Sequence, residues 1–172
     1  EGGGLNYYNR RTREFKWYRP QEGRNSISHN NVKALYYDAD KEIIWIGTHL
    51  GGLNKLDIRS GHFTHYRMEG NNPQSLPSDI IRDITPYKDL LIIATQNGVC
   101  LFNPANGQCR QLFKDSKEGK SIKMVADVVF DSEGTLWIAA TGEGVFSYRF
   151  DTRKLTNYRH DAANPNSLSN NN

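Results

Sequence analysis

Apolar runs of four to seven residues, broken by polar turns rich in Gly, Asn, Asp and Ser, recur along the whole chain. No stretch keeps a helical period with capping residues, so the pattern predicts strands and turns rather than helices. The clearest set is "VKALYYD" (32–38), "IIWIGT" (43–48), "GGLNKLD" (51–57) and "HFTHYR" (62–67), joined by "ADKE", "HL" and "IRSG". A long polar connector, "MEGNNPQSLPSD", follows it. The same plan returns near the end of the chain as "MVADVVFD", "TLWIAA", "EGVFSYRF" and "KLTNYRH".

The plan is a repeat. Tyr18, Tyr66, Leu112 and Tyr158 lie 48, 46 and 46 residues apart, and Phe15, Phe63, Cys109 and Leu155 keep those spacings. So do Gly4-Leu5, Gly52-Leu53, Gly98-Val99 and Gly144-Val145, while Trp45 and Trp137 are 92 apart with Leu91 halfway. A Ser followed by a bulky aliphatic opens each unit, at Ser26, Ser75, Ser121 and Ser167. Four short antiparallel strands per unit of this length predict an all-β fold, a β-propeller fragment.

Blades pack face to face, which explains why "IIWIGT" and "LLIIAT" are continuously apolar. Trp45 and Trp137 then fill equivalent buried gaps between blades, with Leu91 in their place in the middle unit. Gly47 and Ala139 permit close approach of a neighbouring blade. Gly52, Gly98 and Gly144 supply positive φ at the start of the third strand. Thr95 and Thr141 fall one place later than Thr48, so the second hairpin varies by a residue.

The units divide the chain into an outer hairpin of a preceding blade (1–20), three complete four-stranded blades (27–68, 76–114 and 122–160) and a connector towards a further blade (161–172). Segments "GGGLNYYN" and "FKWYRP" match only a third and fourth strand. The expectation is a piece of a longer ring whose uncovered terminal faces favour self-association.

Composition adds exclusions. Lys plus Arg exceeds Asp plus Glu by three, scattered rather than striped, which gives no support for nucleic-acid binding. No apolar run approaches the ~20 residues of a membrane span. The two cysteines flank "LFNPANGQ", read as a hairpin turn. If Asn103 pairs with Gln108, Cys100 and Cys109 sit on a diagonal, beyond easy bridging range, so two small half-buried residues are favoured over a disulfide. The five histidines fall mostly in turns or outer strands, and no H-x-x-x-H metal pair appears. No acid–base pair converges, so neither a catalytic site nor a cofactor or metal is expected. The Asn-rich connectors read as polar turns.

The stretch "DSEGTLWIAATGEGVFSYRFDTRKLTNYRHDAANPNSLS" resembles the two-component regulator propeller repeats of the periplasmic sensor region of hybrid two-component systems from gut Bacteroidetes. The pattern is D-x-x-G-x-L-W-I-G-T, then G-G-L, then a strand ending in an aromatic, then N-P-x-S-L-S. Asp131 to Val145 with Asn164 to Ser169, and Trp45 to Leu53 with Asn72 to Leu76, carry it most fully. The middle unit, "YKDLLIIAT", departs from it.

The resemblance implies a periplasmic portion of an inner-membrane sensor histidine kinase. Such a sensor responds to glycan-derived oligosaccharides, regulates polysaccharide-utilisation genes, and works with further blades and a downstream sensor domain as partners. Similar repeats occur in streptogramin lyase-like propellers, the alternative as an enzyme; a protein-interaction platform is a third reading. Binding on a propeller falls to loops of one face and to the innermost strands near the axis. The candidates are Asn30, Asn31 and Lys33 entering the first such strand, Asp79, Arg82 and Asp83 entering the second, and Lys123 and Asp127 flanking the third. Amides, carboxylates and cations suit sugar hydroxyls or acidic sugars.

Overall fold

The computed structural model describes residues 2–172. A two-stranded half-blade comes first, β1 (Leu5–Asn9) and β2 (Glu14–Tyr18). Blade II holds β3 (Val32–Asp38), β4 (Ile43–Thr48), β5 (Leu53–Asp57) and β6 (Phe63–Tyr66). Blade III holds β7 (Ile81–Tyr87), β8 (Leu90–Thr95), β9 (Gly98–Asn103) and β10 (Gln108–Gln111). Blade IV holds β11 (Val125–Phe130), β12 (Leu136–Ala140), β13 (Gly144–Arg149) and β14 (Lys154–Tyr158). Each blade is an antiparallel meander in sequence order. Helix among the described residues amounts to one 3-10 turn, Gly119–Ser121. The all-β propeller expectation holds.

The recurring Ser-aliphatic phrase has two jobs. Ser75 Oγ accepts the Glu69 N–H (2.9 Å) and Ser167 Oγ accepts the Asp161 N–H (2.9 Å), so each hydroxyl closes its connector. Ser26 does the same for Gln21 (2.9 Å). The next residue, Ile27, Leu76 or Ile122, is buried in a core between blades. The outer hairpins repeat a left-handed residue at Arg13, Gly61, Gly107 and Arg153, at the 48-46-46 spacing of the tyrosine column.

Blade faces alternate strictly. Trp45, Leu53 and Tyr66 of blade II pack on Ile84, Leu91, Ile93 and Phe102 of blade III. On the other side of blade III, Ile92, Ala94 and Val99 pack on Val128, Leu136, Ile138 and Phe146 of blade IV. The half-blade reaches blade II through Leu5 and Tyr18, which sit with Ile46, Leu56 and Phe63. Gly47 is required by this packing, because a Cβ there would lie 2.6 Å from Ile81 Cγ2.

Three expectations are corrected. Ile92, not Leu91, takes the tryptophan place of blade III: Trp45, Ile92 and Trp137 share one position opposite the third strand and one face of their blades, the face away from the preceding blade, while Leu91 faces blade II. The cause is the second hairpin. Thr95 pairs with Gly98 across two residues, whereas Ala140 pairs with Gly144 across three, and a one-residue change in a strand connection turns every side chain to the other face.

Trp137 is not buried as Trp45 is; it is half-exposed on the face of blade IV that no other blade covers. Cys100 and Cys109 are joined in a disulfide. The foreseen register is present, with Asn103 opposite Gln108, but the diagonal brings the two Cα atoms to 5.9 Å, inside bridging range. Both cysteines are buried against blade II. The same diagonal in blade IV is Phe146 and Leu155, so the covalent bond stands where a bulky contact stands next door.

Candidate functional site

The first strands of the blades, β3, β7 and β11, are neighbours, β7 lying against both others. Each carries a bulge at the same place: Lys33 between Val32 and Ala34, Arg82 between Ile81 and Asp83, Ala126 between Val125 and Asp127. A bulge inserts one extra residue into the strand and re-aims its side chain, a device common beside binding sites. Repetition on three adjacent strands groups Lys33, Arg82, Asp83 and Asp127 at one end of the innermost strands. The half-buried Asn31 stands just ahead of them, its side-chain oxygen buried without a hydrogen-bond partner, as is Arg82 Nε.

Asp83 and Asp127 lie on adjacent blades. Burial pushes the Asp83 carboxyl above its ordinary value, and the Asp127 charge adds to that push, against hydrogen bonds from Ile84, Thr85 and Val128. The Thr85 hydroxyl donates to the Val128 carbonyl (2.9 Å) and touches Asp83 Oδ2 (3.1 Å), linking blade III to blade IV. Asp127 Oδ1 accepts the Val128 N–H (2.9 Å). Lys33 and Lys123 are exposed.

Asn30 and Asp79 stand apart from this group in a repeated backbone latch. The Asn30 carbonyl accepts the Gly4 N–H (2.8 Å), and the Asp79 carbonyl accepts the Gly52 N–H (2.9 Å). Asp79 Oδ1 also accepts the Met68 N–H (2.7 Å), with Arg67 at 3.9 Å from its carboxylate. Asn171 repeats both bonds, its carbonyl to Gly144 N–H (3.0 Å) and its amide oxygen to His160 N–H (2.7 Å). The glycine is fixed by this contact, since a Cβ on Gly52 would sit 2.3 Å from the Tyr66 carbonyl oxygen.

Sequence reasoning missed Asn171 and Thr85. A signal existed for the first: a polar Asn or Asp stands four residues after the connector Ser in "SISHN", "SLPSD" and "SLSNN". Thr85 gave no signal, because its role depends on a carbonyl of the next blade.

Three of the five histidines bind backbone through their rings. His65 Nε2 contacts the Ser26 carbonyl (2.8 Å), His160 Nδ1 the Leu168 carbonyl (2.6 Å), and His29 Nδ1 accepts the Asn31 N–H (3.1 Å). Among the described residues, no cluster of His, Cys, Asp and Glu could hold a metal ion. The axial group brings amide, carboxylate and cationic functions together at one end of these strands.

Sheets of this order and junctions of this kind define a segment of a β-propeller. Residues 26–49, the connector Ser through β4, match the family model described as the two component regulator propeller. No curated protein matches the chain. Among solved structures, the chain superposes with a TM-score of 0.82 on the extracellular domain assigned to the hybrid two component system BT3049 of B. thetaiotaomicron. That match has 22% identity and covers 92% of this chain and 22% of the other. A second match is the extracellular domain assigned to the one component system BT4673 of the same organism. Its TM-score is 0.76 at 21% identity, over 99% of this chain and 22% of that one. The likeness shows the fold, and the chain spans about a fifth of the structures it matches.

Proposed function

We propose that this chain is a segment of the extracytoplasmic, ligand-sensing propeller of a hybrid two-component sensor histidine kinase, responding to glycan-derived oligosaccharides without transforming them. The observation that carries the reading is the repeat itself: residues 26–49 match the two component regulator propeller, and nearly the whole chain superposes on extracellular domains assigned to a hybrid two component system and a one component system. The Cys100–Cys109 disulfide supports an oxidising compartment such as the periplasm. In this reading the parent is an inner-membrane protein controlling polysaccharide-utilisation genes, and further blades and a downstream domain are its partners.

The ligand contacts assigned here are Asn31, Lys33, Arg82, Asp83 and Asp127 on the innermost strands, with Lys123 at their margin. Asn30 and Asp79 act on the site through the latch rather than by touching ligand. Calorimetry of the complete sensor region against a panel of oligosaccharides tests this. One oligosaccharide class should bind without turnover, and Arg82→Ala or Asn31→Ala should weaken it at least tenfold. Unchanged affinity in both variants would remove the site, and turnover would overturn the sensing role. The uncovered terminal faces also favour self-association of the isolated chain; a clean monomer by light scattering at high concentration would count against that part.

A further inference from the structure

Blade III departs from its neighbours in four places, and the four meet at one cleft on its outer rim. In blades II and IV a tryptophan of the second strand leans on the tyrosine that ends the outer strand, Trp45 on Tyr66 at 6.0 Å and Trp137 on Tyr158 at 5.6 Å. Blade III has Ile92 and Leu112 in those places, so no such ring pair spans its outer strands on that face. The cross-strand pair beside them is Lys55–Thr64 in blade II and Ser147–Thr156 in blade IV, but Leu101–Arg110 in blade III. The outer hairpin of blade III carries the disulfide. The connector that follows holds Lys114, Lys117, Lys120 and Lys123, where the other three connectors have one or two arginines and no lysine.

The cleft measures about 450 Å³, within the range of small-molecule sites. Half-buried Leu90 and Leu101 give it an apolar floor, and the exposed Arg110, Lys114 and Asp115 stand on its lip. Blades II, III and IV around it are each four-stranded, and no residue of the half-blade or of the last connector lines it. Its walls are held in place. The Cys109 N–H donates to the Gln74 carbonyl (2.7 Å), Gln108 Nε2 donates to Gln74 Oε1 (3.0 Å), and the disulfide ties the two strands of the hairpin together. Walls fixed in advance lower the ordering cost of binding.

The cations of the lip are uncommitted. Arg67 and Arg159, which open the neighbouring connectors, are paired with Asp79 (3.9 Å) and Glu143 (2.9 Å). Among the described residues no ion pair or side-chain hydrogen bond engages Arg110 or Lys114, and Asp115 pairs with neither.

We infer that this cleft binds a small organic monocarboxylate with an apolar body. The Arg110 guanidinium takes the carboxylate in its planar fork, Lys114 adds a second cation, and the apolar body lies on Leu90 and Leu101. Two cations and one carboxylate leave a single positive charge on the lip, which matches one carboxylate and disfavours a doubly charged phosphate. The site uses none of the axial residues, so it stands or falls apart from the sensing reading.

The test is fluorine NMR of para-fluorobenzoate added to the complete sensor region. Saturable binding is expected. Arg110→Thr installs the residue that blades II and IV carry at that place, which keeps the fold, and should weaken binding about tenfold, the effect of one lost charge-assisted hydrogen bond. Lys114→Ala, at an exposed position, should weaken it about threefold, as a more flexible point charge. Unlabelled benzoate should displace the probe; inorganic phosphate and benzyl alcohol at the same concentration should not. Absence of saturable binding, unchanged affinity in Arg110→Thr, or displacement by phosphate or benzyl alcohol as effective as by benzoate would each overturn the proposal.

Discussion

Trp45 and Trp137 hold the same place in two blades and live in different surroundings. Trp45 meets Phe102 edge-on at 5.5 Å and Tyr66 at 6.0 Å, closed in by blade III. Trp137 has only its own blade: Tyr158 at 5.6 Å, and Asp131, whose carboxylate accepts the indole N–H at 2.8 Å. The intrablade contact, tryptophan against the outer-strand tyrosine, is the same in both. What differs is the neighbour. In this fold a single blade orients the tryptophan, and the next blade converts that orientation into stability.

The sharpest way to break this comparison is to truncate both residues. Trp45→Ala should cost about 3–5 kcal/mol in urea denaturation, as buried aromatic truncations do, and Trp137→Ala about 1 kcal/mol or less. Equal losses would mean that the blade junction adds nothing.

Next in size is the disulfide inside the closed junction. Replacing Cys100 and Cys109 together by Ala should cost about 2–3 kcal/mol, the order expected for a closed loop this short. Because both sulfurs are buried, reduction of the native chain should be slow and should speed up in Trp45→Ala; equal reduction rates would disconnect bond and junction.

A smaller effect separates Gly47 from Ala139. Gly47→Val drives a methyl into Ile81 and should cost about 1–3 kcal/mol, whereas Ala139→Val on the open face should stay within about 0.5 kcal/mol.

The smallest contrast is in protonation. Asp83 lies at a junction with its carboxyl raised by burial; Asp131 lies on the open face with its carboxyl lowered, first by the Trp137 bond and then by backbone N–H groups. For Asp83 the folded form binds the proton more tightly than the unfolded one. Its contribution therefore grows as pH falls through the raised folded value and levels off below the ordinary one. A protonated Asp83 can donate to the Thr85 hydroxyl, which already donates to Val128. For Asp131 the contribution is present above the ordinary value and is lost as pH falls through the lowered one. Carboxyl NMR titration should place Asp83 above Asp131, and Asp83→Asn should remove the gain in melting temperature on mild acidification. The reverse order would contradict the burial argument.

Most of the fold was legible because repeated packing leaves repeated residues: the Gly-Leu openers, the outer tyrosines and the connector serines each answer to one contact per blade. The departures arose where contacts cross elements. The shorter hairpin of blade III was visible in the spacing of Thr95 and Gly98, yet its consequence, the exchange of Leu91 for Ile92 at the junction, depends on strand pairing. Cys100 and Cys109 were placed in the right register, but register alone does not give the distance along a diagonal. At the candidate site, sequence located the innermost strands and could not divide their polar residues by role. Asn30 and Asp79 hold backbone, Asp83 bridges two blades, and Lys33 and Arg82 stand on bulges that no composition signals.

The short hairpin of blade III also bears on how such an array tolerates copying errors. Trp45 to Ile92 is 47 residues and Ile92 to Trp137 is 45, so the irregular step is made good within one unit. Gly98 restores the frame, since its left-handed backbone marks the start of the third strand whatever length precedes it. An insertion or deletion ahead of such a glycine is quarantined: it exchanges which residue meets the neighbour and leaves every later blade in phase. The array behaves as punctuated text, in which a lost letter spoils one word and not the sentence.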